Sequence, residues 1–377
     1  MKQLVMTGLM TGMMAAGLAG TAAAQEKAPE KTPEKISWAD SIKVSGDARF
    51  RYQDTAEEGK EDRERWRFRG RIGLDAKVND QVKANIRLVT NSGDPVSDNQ
   101  TMDNAFDDKN AAFDRVFFTY SPVEMLGIRF GKMSQPWIVV DDLVMSGDVN
   151  PEGMAVNAKL PAGIIELLAH AGAYVIDERS ADDESMLYSG QVAAKANFGK
   201  KDFVMAGATV YAFDNIEGMG LQFDATKGFG NSTTKKVSTT DGVETTTLLY
   251  ATGYTVVEGF VQASIDVGVP LTLGAQYMVN TDADENDVGY LGMAAVKLPA
   301  GFSVGYQYRY LEKDSTLGVF AESTDFGNGT DVEGHIPYVS YDIAKNFNIK
   351  AQYSMGDKGL DNGKTIDTFK IDLACKF

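Results

Sequence analysis

The feature that most constrains this chain is an alternation of apolar and polar residues that continues to its last position. The final ten residues read TFKIDLACKF, in which Phe369, Ile371, Leu373, Cys375 and Phe377 occupy every second position. Successive side chains of a β-strand point to opposite faces of the sheet, so this segment has one apolar and one polar face. The same pattern begins near residue 41 and recurs along most of the chain. It predicts an all-β fold.

The early strands show the alternation most clearly. In RWRFRGRIGLDA, residues 65–76, arginine takes every second position, while Trp66, Phe68 and Ile72 lie between the arginines. A helix would scatter these arginines around its axis, whereas a period of two separates them from the aromatic residues. We predict that nine arginines of the first five strands project to the polar face: Arg49, Arg51, Arg65, Arg67, Arg69, Arg71, Arg87, Arg115 and Arg129.

The first 24 residues have the pattern of a secretory signal peptide, with Lys2, an apolar stretch and a final run of alanines at 22–24. Residues 25–40 are rich in Pro, Glu and Lys and lack periodicity, so we predict a disordered periplasmic leader there. The β-domain is expected to cover residues 41–377.

Composition excludes some classes of protein. The chain has 53 acidic and 37 basic residues, a formal net charge of −16 at pH 7. This acidity argues against a nucleic-acid partner, which requires a basic surface. Because Cys375 is the one cysteine in the sequence, an intramolecular disulfide is excluded.

After the signal peptide, no uncharged apolar run reaches the roughly 18 residues that a membrane-spanning helix needs. The longest candidate, LPAGIIELLAHAGAYVI, is interrupted by Glu166 and His170. If this chain crosses a membrane, we expect it to do so as a closed barrel, in which every backbone group is paired. The apolar face would then meet lipid and the polar face would line a lumen.

The connections between the predicted strands alternate in length. Seven are short turns, such as VNDQ at 78–81, and eight are long and polar. Together they join sixteen strands and leave both chain ends on the short-turn side, which is typical of outer-membrane barrels. We therefore predict an antiparallel up-and-down transmembrane β-barrel of about sixteen strands. The long connection 214–257 leaves open an extra hairpin, which would give eighteen strands.

Two segments carry a resemblance to known families. The C-terminal FKIDLACKF resembles the assembly signal of Gram-negative outer-membrane proteins, which ends on a terminal Phe. Residues 131–156, GKMSQPWIVVDDLVMSGDVNPEGMAV, resemble a loop of the family called “putative porin”. The second resemblance extends over residues 41–377 and implies a pore-forming barrel in the bacterial outer membrane. The residues of the assembly signal are Phe369, Ile371, Leu373 and Phe377.

The third long connection, residues 134–152, is acidic. The resemblance implies that this loop folds into the lumen and narrows it. An acidic loop opposite the basic strands would create a transverse electric field at the constriction. The predicted constriction residues are Asp141, Asp142, Asp148 and Glu152.

The basic strands can be interpreted in two ways. They either set the ion selectivity of a pore or only neutralise nearby carboxylates. Under the first interpretation, we expect a weak anion preference that is set chiefly by Arg67, Arg69, Arg71 and Arg87.

Three functions remain open at this point. The leading hypothesis is a porin that passes small hydrophilic solutes and ions by passive diffusion. The alternatives are a plugged barrel with a structural or surface-display role, and a soluble secreted β-sandwich. We predict no catalytic residue, because neither His170 nor His335 has a recognisable serine partner in the sequence.

We predict no metal ion and no cofactor. The expected partners are outer-membrane lipid, lipopolysaccharide, the barrel-assembly machinery and small hydrophilic solutes. A homo-trimer stays open, because the chain lacks the Pro-Glu-Phe-Gly-Gly segment of classical trimeric porins.

The assembly signal can be tested directly. Replacing Phe377 by Ser removes the terminal aromatic ring and should reduce the amount of protein inserted in the outer membrane, measured on isolated membranes. The control is a single substitution within the 214–257 connection. Equal membrane yields for the two variants would contradict an assembly role for Phe377.

Overall fold

The computed structural model describes residues 41–377, apart from 92, 181, 182, 200 and 242. The predicted signal peptide (1–24) and leader (25–40) lie outside the described residues. Within the described part of the chain, no helix is long and apolar enough to cross a membrane.

Sixteen strands form one closed antiparallel barrel, in which each strand pairs with the next along the chain and the last pairs with the first. A further strand of two residues, Gln100–Thr101, pairs with Arg67 and Phe68 of the second barrel strand. The all-β prediction and the predicted strand number are confirmed. The strands are β1 Ile42–Glu57, β2 Arg63–Lys77, β3 Val82–Thr90, β4 Ala111–Val123, β5 Leu126–Lys132, β6 Glu152–Ala162, β7 Ile165–Asp177, β8 Ser185–Asn197, β9 Phe203–Asp214, β10 Tyr254–Asp266, β11 Pro270–Asn280, β12 Val288–Lys297, β13 Phe302–Leu311, β14 Val332–Ala344, β15 Phe347–Lys358 and β16 Lys364–Lys376.

The seam between β1 and β16 closes the barrel. Their register extends from Asp47 opposite Lys376 to Glu57 opposite Ile366. At the end of the seam, the N–H of Phe377 donates to the carbonyl of Gly46, and the N–H of Gly46 donates to the carbonyl of Phe377, both at 3.0 Å. The sheet therefore has no open edge at this point.

The alternation predicted from the sequence places apolar side chains on the outside of the barrel. Trp66 is 50% exposed and Val192 is 65% exposed. Their neighbours Arg67 and Gln191 face the interior and are buried. Because successive side chains of a β-strand point to opposite faces, the orientation of one residue determines the face of every other residue in that strand.

The seven predicted short turns are present, and six of the eight predicted long loops have seven or more residues. The connections 58–62 and 359–363 have only five residues each, because β1 extends to Glu57 and β15 extends to Lys358. The long loop between β9 and β10, residues 215–253, contains a hairpin formed by Thr233–Thr240 and Val243–Tyr250. This hairpin is a separate two-stranded sheet and does not enter the barrel wall. The eighteen-strand alternative is therefore wrong.

The apolar core lies inside the barrel rather than between two sheets. Loop 3, residues 133–151, and loop 7, residues 312–331, both fold inward, and Leu143 and Leu317 are fully buried. They pack against inward-facing wall residues such as Tyr211 and Met278. This cluster occupies part of the space that a sixteen-stranded barrel encloses.

Hydrogen bonds hold loop 7 inside the barrel. The N–H of Ser146 in loop 3 donates to the carbonyl of Phe320 in loop 7 at 2.7 Å. The side-chain amide of Asn231 donates to the carbonyls of Lys313 and Thr316 at 2.7 and 2.8 Å. Three loops that are distant in sequence are thereby joined in the lumen.

The ring of Phe326 anchors loop 7 to the wall. A Cβ atom added at Gly334 or Gly356 would lie 2.5 or 2.7 Å from this ring. Only glycine on β14 and β15 therefore leaves room for it. Phe326 itself is almost fully buried.

Shortening Phe326 should release loop 7. Phe326→Ala removes a buried ring, a change that typically costs about 3–5 kcal/mol. We expect faster tryptic cleavage after Lys313 in the folded, detergent-solubilised protein, because local opening exposes the backbone to the protease. Phe223→Ala, at an exposed position of the 215–253 loop, is the control. Cleavage of both variants at the wild-type rate would contradict an anchoring role for Phe326.

Candidate functional site

Loop 3 follows the inner wall on the side of β6 and β8. The N–H of Ile138 donates to Oε1 of Gln191 at 2.8 Å, and Nε2 of Gln191 donates back to the carbonyl of Ile138 at 2.9 Å. The side-chain amide of Asn157 donates to the carbonyl of Pro136 at 2.6 Å. These wall residues fix the path of the loop through the lumen.

Trp137 attaches the same loop through aromatic contacts. Its ring lies 5.4 Å from the ring of Tyr211 and 5.7 Å from the rings of Tyr174 and His170. Nε2 of His170 lies 2.8 Å from the hydroxyl of Ser189. The sequence analysis did not find this pair, which lies buried beneath Trp137.

The space that loops 3 and 7 leave open is a cavity of about 530 Å³, here called the lumen cavity. Its walls come from β1, β2 and β12–β16, and loops 2 (91–110), 3 and 7 complete it. Its basic lining residues are Arg49, Arg51, Arg69, Arg309, Lys350 and Lys370. Its acidic lining residues are Asp141, Asp142 and Asp148 of loop 3 and Glu322 and Asp325 of loop 7.

All nine arginines selected from the sequence lie on strand positions that face the interior, but only three of them line the lumen cavity. Arg51 donates to both oxygens of Asp372 at 2.6 and 2.7 Å. Arg69 forms an ion pair with Asp47 at 2.7 Å. Arg49 donates to Oδ1 of Asn99 at 2.7 Å.

The other arginines do not line the lumen cavity, and most of them bind structural partners. Arg71 contacts Asp98 at 2.5 Å and also pairs with Asp148. Arg87 forms an ion pair with Asp114, and Nε of Arg115 donates to Asn150 at 2.7 Å.

Among the remaining three, Arg67 donates to Gln53 and to the carbonyl of Asn99 at 3.3 Å. Arg129 lies over the ring of Phe117. Arg65 faces the interior on β2, where its Nε has no partner. Of the four arginines expected to set selectivity, only Arg69 therefore lines the lumen cavity.

Three of the four predicted acidic residues lie in the lumen cavity, and the fourth does not. Glu152 is the first residue of β6, is exposed and forms an ion pair with Lys132 at 2.6 Å. Its placement differs from the expectation because loop 3 ends at residue 151, before Glu152 reaches the lumen.

The pKa values of Asp142 and Asp148 in loop 3 are shifted in opposite directions. Burial raises the pKa of Asp142 to about 7, and the adjacent Asp141 adds to this effect. Burial would also raise the pKa of Asp148, but the guanidinium groups of Arg71 and Arg69 outweigh it and lower the pKa. Asp148 is therefore a fixed negative charge, whereas Asp142 titrates near neutral pH.

The sequence analysis missed the basic residues of β13, β15 and β16. Lys370 forms an ion pair with Asp325 at 2.5 Å, and Lys350 lies 4.3 Å from the centre of the Tyr338 ring. Arg309 is only 2% exposed. The period-two pattern places all three basic residues on inward positions, so the same signal could have found them.

Comparison with known proteins now places the chain in a family. Residues 55–258 and 259–377 match the model of the family described as “Putative porin”. No curated protein sequence matches the chain significantly.

The fold is similar to that of solved outer-membrane proteins. OmpF of Salmonella typhi, in complex with daunomycin, superposes with a TM-score of 0.55 at 11% sequence identity, over 89% of this chain and 97% of that chain. OmpT of Vibrio cholerae, folded in vitro and in its trimer form, gives a TM-score of 0.51 at 14% identity, over 90% of this chain and 100% of that chain. This chain belongs to the “Putative porin” family and is a multi-pass β-barrel of the bacterial outer membrane.

Proposed function

We propose that the protein is a porin through which small hydrophilic solutes and ions diffuse passively. The observation that carries the proposal is the lumen cavity, which has charged groups on two sides. Basic residues project from the barrel wall, and acidic residues of loop 3 project from within the lumen. In this proposal the cavity is the constriction of a water-filled pathway.

The charge distribution favours polar over apolar solutes. Charged groups on opposite walls hold water, and an apolar solute would have to displace that water without replacing its hydrogen bonds. The field between the basic wall and loop 3 would also orient dipolar solutes. Size exclusion and this field together define the proposed selectivity.

The ion preference depends on which charges remain unpaired. Arg51 is neutralised by Asp372, and Lys370 is neutralised by Asp325. Arg71 and Arg87 fit the alternative interpretation, in which arginine only balances a carboxylate. We propose that a weak anion preference comes from Arg49 and Lys350, which have no carboxylate partner in the part of the chain that the structure describes, with Asp141, Asp142 and Asp148 opposing it.

A second candidate function is a plugged structural or surface-display barrel. It is favoured by the apolar cluster of loops 3 and 7, which fills part of the lumen. Under this alternative the lumen cavity is a closed pocket, and the external loops are the working surface.

Planar-bilayer recording separates the two candidates. If the protein is a porin, the purified protein should produce stable conductance steps, and its reversal potential in a KCl gradient should indicate a weak anion preference. Phe326→Ala, which should loosen loop 7, should change the size of each step. Bilayers that show no steps with well-folded protein would favour the plugged barrel.

The ion preference should depend on pH. Because the pKa of Asp142 is about 7, this residue is ionised at pH 8.5 and neutral at pH 5.5. Lowering the pH therefore removes about one negative charge from the constriction, and the reversal potential should shift towards anions. Asp142→Asn should abolish most of the shift, whereas Asp224→Asn on the exposed 215–253 loop should retain it. A full shift in Asp142→Asn would assign the titration to another group.

The remaining assignments are also proposals. The exported chain would lose residues 1–24 and keep residues 25–40 as a periplasmic leader. It would contact lipid and lipopolysaccharide through its outer face, and the barrel-assembly machinery through Phe369, Ile371, Leu373 and Phe377. A homo-trimer is supported by the trimer form of OmpT from Vibrio cholerae. Porin barrels are typically channels rather than enzymes, and we assign no catalytic residue.

A further inference from the structure

The wall around the lumen cavity contains buried hydrogen-bond donors that have no acceptor. Among its described lining residues, four buried side-chain N–H groups have no acceptor: Nε of Arg49, Nε and Nη1 of Arg309, and Nε2 of Gln307. Arg309 is almost completely buried, and its nearest carboxylate, Glu322, is 3.8 Å away. No buried acceptor atom of these lining residues lacks a partner. The wall around the cavity therefore has more unpaired buried donors than acceptors, and buried donors without acceptors are costly.

The carboxylates close to the basic wall accept hydrogen bonds from groups other than these four donors. Asp325 accepts from Lys370 at 2.5 Å and from Nε2 of Gln352 at 2.8 Å. Glu322 accepts from the backbone N–H groups of Thr324 and Asp325 at 2.8 and 3.3 Å. Asp372 is held by both nitrogens of Arg51.

Two cations that line the lumen cavity are left without a carboxylate partner among the described residues. Within the described part of the chain, Lys350 makes no ion pair, and its ammonium group lies over the ring of Tyr338. Arg49 binds only the neutral amide of Asn99. Both residues line the lumen cavity.

The register of the seam places these two cations on one surface. Arg49 of β1 lies opposite Ala374 of β16, and Lys350 of β15 lies opposite Asp372 of β16. The two residues are thus separated by two strand spacings, about 10 Å across the sheet, and by two residues, about 7 Å, along β16. Ala374 carries no side chain long enough to fill the space between them.

We propose that this surface is an oxyanion-binding subsite, in which Arg49 and Lys350 contact a carboxylate or phosphate group of a small solute. The inference rests on the proposed function and names the solute class of the same pore. Nη2 of Arg49 is bound to Asn99 and its Nε is buried, so the guanidinium would donate to an oxyanion through its remaining Nη–H groups. The ammonium of Lys350 adds a compact charge. Asp141 and Asp142, on the opposite side, weaken binding enough that the solute can leave.

Such a subsite makes conductance saturable. A solute that pauses at Arg49 and Lys350 limits the current once the subsite is occupied. Chloride presents no set of acceptor oxygens and should give a conductance that rises almost linearly with concentration. Saturation by an oxyanion but not by chloride is therefore the expected signature.

The experiment measures single-channel conductance of the full purified protein against the concentration of potassium succinate, potassium phosphate and KCl. Lys350→Gln and Arg49→Gln should each raise the half-saturating concentration of the oxyanion by roughly tenfold, while Lys350→Arg should keep the wild-type value. The matched control is Lys195→Gln, because Lys195 also faces the interior over an aromatic ring, 4.2 Å from the centre of Phe203, but does not line the lumen cavity. Stable conductance steps in concentrated KCl, whatever their size, verify that each variant has folded into an open channel.

The outcomes are distinguishable. Saturation with succinate alone identifies a carboxylate subsite, and saturation with phosphate alone identifies a phosphate subsite. Linear conductance in both oxyanions, or equal behaviour of Lys350→Gln and Lys195→Gln, overturns the subsite while the porin function stands. Absence of any channel would instead overturn the proposed function.

Discussion

The closure of the sheet is the constraint on which the rest of this structure depends. Lipid offers no hydrogen bonds, so every backbone N–H and C=O of a spanning sheet must pair with a neighbouring strand. Pairing of β16 with β1 removes the last open edge. Once the sheet is closed, the two faces of every strand have different surroundings, one of lipid and one of the interior. The period-two alternation of the sequence follows from this division.

Closure also creates an interior that wall side chains alone cannot fill. A barrel of sixteen strands is wide enough for an aqueous channel, and here two loops occupy much of that space. Loop 3 is held to β6 and β8, and loop 7 is held by Phe326 against two glycines. Their apolar residues form a core within the barrel. The remaining cavity consequently has wall strands on one side and loops on the other.

Pairing decides which of the many interior charges are free to act. A buried charge without a partner is costly, so most interior arginines are bound to a carboxylate or an amide. Arg71 and Arg87 belong to such pairs and stabilise the packing of loops 2 and 3 and of β4. Arg49 and Lys350 remain without carboxylates and line the cavity. Under the proposed porin function, an interior charge therefore affects permeation only where its neighbours leave it unpaired.

The sequence by itself determined the strands, their faces and their connections. A period of two assigns each side chain to a face, and turn residues mark where strands end, so the sixteen strands and the inward direction of all nine arginines were predictable. The depth of each side chain along the barrel and the paths of the loops could not be predicted from the sequence. They depend on contacts between residues distant in the chain, such as Ser146 with Phe320. Only the tertiary structure therefore placed loop 7 in the lumen, left Glu152 outside it and brought Lys350 and Arg309 to the cavity.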